Sequence, residues 1–339
     1  MRRVLITGIT GFAGSHLAEF YLGYQDDPLE EEVELYGFIR HRNNREFIRH
    51  FENRVHLIEG DIADAHAVEQ AVIAVRPDRI HHLAAQSLVP TSWTAPTETF
   101  QINLLGSLNL FEAVRRHRPE AILQVASSSE IYGRQEIFPI SEQNLPEPLS
   151  PYAVSKLAMD RLAHQYVRSY DRNIIVTRGF NHTGPRRGSS FVTSNFAKQI
   201  VEIERRQREP IIHVGNLDME RDWTDVRDMV RAYVLAIRNC NPGEPYNIAS
   251  GVSHKICGVL DNLLALAGVK ATIQMDPDRK RPSDVPRSQG DSSKFQACSG
   301  WKPRIPWEQT LKDLLDYWRL TLDGKMWQAA LTKQHKKEM

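Results

Sequence analysis

Apolar positions along the first half of the chain follow two periods. Short runs at Val4 to Ile6, Val33 to Ile39, Val55 to Leu57, Ile80 to Leu83, Ile122 to Val125 and Ile174 to Thr177 read as strands. Between them, apolar residues three and four apart predict helices: one carrying Leu17, Phe20, Tyr21 and Leu22, one over Ala65 to Val75 closed by Pro77, one within Phe100 to Arg115, and one over Val154 to Tyr170. Strand and helix in alternation predict βαβ units and a parallel sheet. After about Phe180 the alternation decays. Strand candidates at Ile211 to Val214 and Tyr246 to Ile248 mix with helices and Pro-containing loops. The last strong helix is Trp307 to Arg319, whose Leu311, Leu314, Leu315 and Trp318 stripe reads as core. Lys333 to Met339 reads as a solvated tail.

The length, 339 residues, fits two domains or one large α/β unit. Forty-three Lys and Arg against 42 Asp and Glu leave a net charge of +1, so electrostatics gives no reason to expect nucleic acid or a membrane surface as partner. No apolar run approaches the roughly 20 residues of a membrane span. The apolar start is broken at Thr7-Gly8 and Thr10-Gly11, too early for a secretion signal, and a cytoplasmic protein is expected. The three cysteines, Cys240, Cys257 and Cys298, include no CxxC pair; the odd count predicts idle thiols in a reducing compartment rather than a disulfide framework. No metal site is expected: the His81-His82 pair stands at a strand end without a ligand cluster around it.

Chemistry enters at Gly8-Ile9-Thr10-Gly11-Phe12-Ala13-Gly14, which follows a strand and opens a helix. Gly8 permits the turn, Gly11 lets backbone approach a pyrophosphate, and Gly14 allows close helix–strand packing. The phosphates would lie at the helix N-terminus. The second strand ends in Arg40-His41-Arg42, where an acidic residue would accept the ribose 2′-hydroxyl of NAD and an Arg the 2′-phosphate of NADP. NADP is therefore expected, with NAD as the alternative. Tyr152 and Lys156 are spaced i, i+4 on one helical face, so the ammonium is expected to lower the phenol's pKa and fit it for acid/base work.

The glycine loop, Ala126-Ser127-Ser128-Ser129-Glu130-Ile131-Tyr132-Gly133 and Tyr152-Ala153-Val154-Ser155-Lys156, in that order, resemble the extended short-chain dehydrogenase/reductase superfamily. The resemblance implies a doubly wound Rossmann sheet over about 1–180, with the chain returning near 226–250, and a smaller C-terminal α/β substrate domain over 181–330. It places Asp61 and Ile62 at the adenine and Leu83, Ala84 and Ala85 along the cofactor. It makes Ser128 the residue that bonds the substrate oxygen that Tyr152 deprotonates. Glu130 stands where sugar-nucleotide 4,6-dehydratases carry a catalytic Glu.

Two groups within the superfamily compete. Segments Leu83-Ala84-Ala85-Gln86-Ser87, Gly179 to Gly188 followed by Phe191-Val192-Thr193, Gly215 to Asp218, and Arg221-Asp222-Trp223 look like GDP-mannose 4,6-dehydratases. Phe196 to Ile200, Asp225 to Asp228, Arg281 to Pro286 and Gly300 to Pro306 look closer to GDP-4-keto-6-deoxy-mannose reductases, which form GDP-rhamnose and can also keep a Glu at the Glu130 position. The leading expectation is the dehydratase, with the reductase as its rival and a non-catalytic dinucleotide-binding module as the remote third. The substrate-side residues implied are Ser87, Ser128, Asn181, Arg187, Val192, Asn216, Arg221 and Arg281. Arg is chosen for the diphosphate because it is planar, charged and bidentate. Family members pair through helices like Phe100 to Arg115 and Val154 to Tyr170, so a homodimer or homotetramer is expected.

Overall fold

The computed structural model describes residues 1–24, 31–276 and 285–325. The first half runs β1 (Arg2–Thr7), α1 (Phe12–Tyr21), β2 (Val33–Ile39), β3 (His56–Glu59), α2 (Ala65–Val75), β4 (Arg79–His82), α3 (Val89–Thr94), α4 (Pro96–Phe100), α5 (Gly106–His117), β5 (Ile122–Ala126), α6 (Pro151–Tyr170) and β6 (Asn173–Gly179). The second runs β7 (Asn181–Thr183), α7 (Val192–Glu204), β8 (Ile211–Val214), β9 (Glu220–Asp225), α8 (Val226–Asn239) and β10 (Pro245–Ile248). It continues with β11 (Ser253–Lys255), α9 (Ile256–Ala267), β12 (Thr272–Met275), β13 (Arg287–Ser288), α10 (Ser293–Ser299) and α11 (Trp307–Leu322).

The described residues form a seven-stranded sheet in the order β3-β2-β1-β4-β5-β6-β10, every pairing parallel. Side chains alternate across it. Val4 and Ile6 bury in one cluster with α1 and α8, and Leu5 in another with α2, α5 and α6. This is a doubly wound sheet, and its order reverses between β1 and β4, where such sheets take their ligands. The chain returns to it through α8 and β10, and again through Phe295 of α10 and Trp301, both fully buried against the β1 side. The first unit thus draws on three stretches of sequence. α7, α9 and α11 enclose a separate core around Phe196, Leu260 and Leu314, with β7, β9, β11 and β13 in a small sheet and β8 paired to β12.

Cys240 and Cys298 form a disulfide, Cα atoms 5.7 Å apart, against the expectation of idle thiols. They meet because α10 lies on α8, a contact across 58 residues of sequence that spacing does not reveal. Cys257 is free. The tail Lys333 to Met339 lies outside the described residues.

Candidate active site

A cleft of about 490 Å³ opens at the carboxyl ends of β1 and β4. Gly8 holds φ +75°, and a Cβ there would sit 2.9 Å from the Ala84 nitrogen. A Cβ on Gly14 would collide with the Gly8 carbonyl, so both positions exclude side chains. Thr7 Oγ1 accepts from the amides of Leu83 and Ala84, each at 3.2 Å, tying the loop after β4 to β1. Gly11 precedes α1, and none of the described side chains caps this helix, which leaves its first-turn N–H groups to meet an anion. Gly8, Thr10, Gly11, Phe12, Ala13 and Gly14 line the cleft, as do Asp61, Ile62, Leu83, Ala84 and Ala85. At the far end Arg40 lines it beside Asn43 and Asn44, whereas Arg42, at φ +61°, does not. Asn43 donates to Thr10 Oγ1 at 2.7 Å, closing that end. A groove cleared of Cβ atoms, an uncapped helix and an exposed Arg fit a dinucleotide.

Ser150 caps α6 by accepting from the Ala153 amide at 3.1 Å, and Pro151 fills the first helical position. One turn apart, Tyr152 and Lys156 therefore both face the cleft. Lys156 Nζ donates to the Ala126 carbonyl at 2.8 Å, and burial pulls its pKa down to about 8. Burial pushes the Tyr152 phenol up to about 12, opposed by a hydrogen bond with Ser128 and by Arg187, and reinforced by the Glu130 carboxylate. This corrects the expectation that Lys156 lowers the phenol. In the protein alone Arg187 is the cation acting on it, and desolvation outweighs it.

Ser128 Oγ also accepts from the Glu130 amide at 3.2 Å, starting the short turn Ser129–Tyr132. Tyr132 anchors that turn: fully buried, it donates to Asn247 Oδ1 at 2.8 Å and accepts from Arg178 at 2.9 Å. Arg178 in turn forms a two-bond ion pair with Asp160, at 2.9 and 3.0 Å. Gly133 holds φ +57° against the Glu147 carbonyl. The packing explains why Tyr and Gly follow the glutamate. It holds Glu130, half-buried, within electrostatic reach of Tyr152.

Of the expected substrate-side residues, Ser87 and Arg187 line the cleft. Arg187 lies over the rings of Phe191, at 3.3 Å, and Phe12, at 4.8 Å, so it sits on the glycine-loop wall rather than apart from it. Asn181 on β7, Val192 opening α7, Asn216 after β8 and Arg221 on β9 stand in the C-terminal unit, outside the lining. Asn216 Oδ1 accepts from the Asp218 amide at 3.0 Å. Arg221 donates to the carbonyls of Val285, at 2.7 Å, and Glu220, at 2.9 Å. Arg281 lies outside the described residues.

A family model described as GDP-mannose 4,6 dehydratase matches residues 5–314. The chain belongs to the GDP-mannose 4,6-dehydratase family. A GDP-6-deoxy-D-mannose reductase of Pseudomonas aeruginosa is 33% identical over 94% of this chain and 97% of its own. GDP-mannose 4,6 dehydratase 2 of Arabidopsis thaliana is also 33% identical, over 92% of this chain and 85% of its own. The solved structure of RMD from P. aeruginosa complexed with NADPH superposes with a TM-score of 0.81 at 30% identity, covering 94% of this chain and 99% of that one.

In this member of the dehydratase family the cleft has further walls that residue patterns alone did not assign. His182 lies parallel to the Phe12 ring at 5.8 Å, and burial, followed by Arg187, pulls its pKa down to about 4. Tyr233 of α8, almost fully buried, reaches the lining near Arg187, and Asn43, Asn44 and Ser127 line it elsewhere. His182 was visible within Phe180-Asn181-His182; Tyr233 belongs to a face otherwise made of core, and carries no local signal. His81 and His82 spend their nitrogens on Tyr21, Gln124, Thr7 and Ser107. Among the described residues no three His, Cys, Asp or Glu side chains gather as metal ligands, and no helix is long and apolar enough to cross a membrane.

Proposed function

We propose that this protein is a GDP-mannose 4,6-dehydratase: GDP-mannose loses water to give GDP-4-keto-6-deoxy-mannose without net redox change. The observation that carries this reading is the family match over residues 5–314, and Glu130, beside Ser128 and acting on Tyr152, supplies the carboxyl that dehydration needs and the redox step does not. NADP would be held by the Gly8–Gly14 loop, Asp61, Ile62, Leu83 to Ala85, Tyr152 and Lys156, with Arg40 for the 2′-phosphate; NAD is the alternative. Held there, the cofactor would supply a reversible hydride acceptor for the oxidation at sugar carbon 4 and the reduction at carbon 6, and its oxidised form would add positive charge to the site.

The chain's own groups do the proton work. Tyr152, oriented by Ser128, takes the proton of the carbon 4 hydroxyl. The ketone formed there acidifies carbon 5. Glu130 removes the carbon 5 proton and supplies one to the departing carbon 6 hydroxyl, a role worth typically about 10²–10⁴-fold. Arg221 and Asn216 are assigned to the nucleotide-sugar side. The protein is expected to act in the cytoplasm as a homodimer or homotetramer paired through α5 and α6.

The similarity to the Pseudomonas reductase favours a second reading, reduction of GDP-4-keto-6-deoxy-mannose by Ser128, Tyr152 and Lys156 alone. Product stoichiometry separates the two. With GDP-mannose, a catalytic amount of NADP and no reduced cofactor, the dehydratase yields a product lighter by one water. No change there, with one NADPH consumed per 4-keto-6-deoxy sugar, identifies the reductase.

A further inference from the structure

Below the glycine loop, α1 carries three polar side chains that are almost fully buried: Ser15, His16 and Glu19. All three meet one target, the turn Gly184–Arg187. The buried Arg186 guanidinium donates to Glu19 and, at 3.2 Å, to Ser15 Oγ. His16 Nε2 meets the Pro185 carbonyl at 3.0 Å. Glu19 also meets His50 Nε2 at 2.9 Å and His16 Nδ1 at 3.5 Å. Arg186 holds φ +70°, a left-handed backbone that a non-glycine residue keeps only when its surroundings enforce it. The next residue is Arg187, on Phe12 in the cleft, and its carbonyl accepts from Ser194 of α7. The turn is thus clamped between the glycine-loop helix and the C-terminal unit.

We propose that Glu19 and Arg186 are positioning residues, whose buried ion pair holds this turn and so fixes the Arg187 guanidinium on Phe12 against the bound cofactor. The inference rests on the dinucleotide reading of the cleft. A buried ion pair is a poor device for stability alone, since well-packed apolar residues often serve as well. It is a good device for holding one conformation.

The test is NADPH binding to the full chain, followed by fluorescence, in a double-mutant cycle. Glu19→Gln and Arg187→Ala are each expected to weaken binding by about 10-fold or more, the loss typical of a charge-assisted contact. The double variant should bind no worse than Arg187→Ala, because Glu19 acts through Arg187. Additive losses, or wild-type affinity in folded Glu19→Gln, would overturn the proposal. Since Glu19→Gln strands the Arg186 charge, the pair Glu19→Gln with Arg186→Met is measured alongside. It is expected to fold and to show the same loss, and wild-type affinity in it would also overturn the proposal. A wild-type chain that binds no NADPH removes the dinucleotide reading and this proposal with it. Binding by wild type and variants alike removes this proposal only.

Discussion

The two sides of the site are made of different material. On the glycine-loop wall the working parts are mostly backbone and missing side chains: Gly8 and Gly14 clear space, α1 offers N–H groups, and Thr7 ties Leu83 and Ala84 into place. On the C-terminal side the lining is long side chains, Arg187 over Phe12 and Phe191 with His182 stacked on Phe12. Beyond the lining, Arg221, proposed for the nucleotide sugar, is held by Val285, 64 residues away, and its neighbour Asp222 is buried under amides from Ser250, Gly251 and Gly290. A wall of backbone tolerates almost no addition. A wall of side chains should lose function by degrees.

Gly14→Ala tests the first half of that contrast. The new Cβ has backbone for a neighbour, which cannot swing aside, so NADPH binding and activity are expected to vanish together; binding within a few-fold of wild type would contradict the close-packed loop. Tyr152→Phe, which keeps the ring and removes the hydroxyl, should lower kcat by about 10³-fold while weakening NADPH binding far less. Arg221→Ala should be milder, raising KM for the GDP-sugar by roughly 10-fold with a small change in kcat. An equal loss in both constants would recast Arg221 as a brace for residues 285–286.

Lys156→Met is expected to act on stability with the opposite sign to its effect on activity. Burial lowers the Lys156 pKa from 10.5 to about 8, so the unfolded chain binds the extra proton between those values. The wild-type penalty is therefore fully present below about pH 8 and fades as pH rises toward 10.5. The variant should lose activity yet gain on the order of 2 kcal/mol at pH 7 once the lost bond to the Ala126 carbonyl is subtracted. Thermal melts at pH 7 and pH 10 check this, and the gain should shrink at the higher pH.

The same contrast decides what could be read from the sequence. Val33–Ile39, Ala65–Val75 and Ile211–Val214 have the bounds that periodicity predicts, because period and burial agree there. The glycine loop, Tyr152 and Lys156, expected from spacing within a few residues, line one cleft, and Ser128, implied by the resemblance, bonds Tyr152. What was not legible depends on contacts across the chain. The Cys240–Cys298 bond needs α10 to lie on α8. Tyr233 reaches the cleft from a helix whose Val226, Met229, Val230, Val234 and Ile237 look purely structural. The direction of the Tyr152 pKa was misjudged because spacing shows the nearby ammonium but not the desolvation that outweighs it.

The most direct test compares wild type with Glu130→Gln on GDP-mannose and NADP, following product mass and nicotinamide absorbance together. Wild type is expected to release product lighter by one water. Glu130→Gln should still reduce the nicotinamide, since Tyr152, Ser128 and Lys156 are untouched, but should form no dehydrated product. Dehydration at the wild-type rate in Glu130→Gln would contradict the role given to this carboxyl and to the turn that holds it.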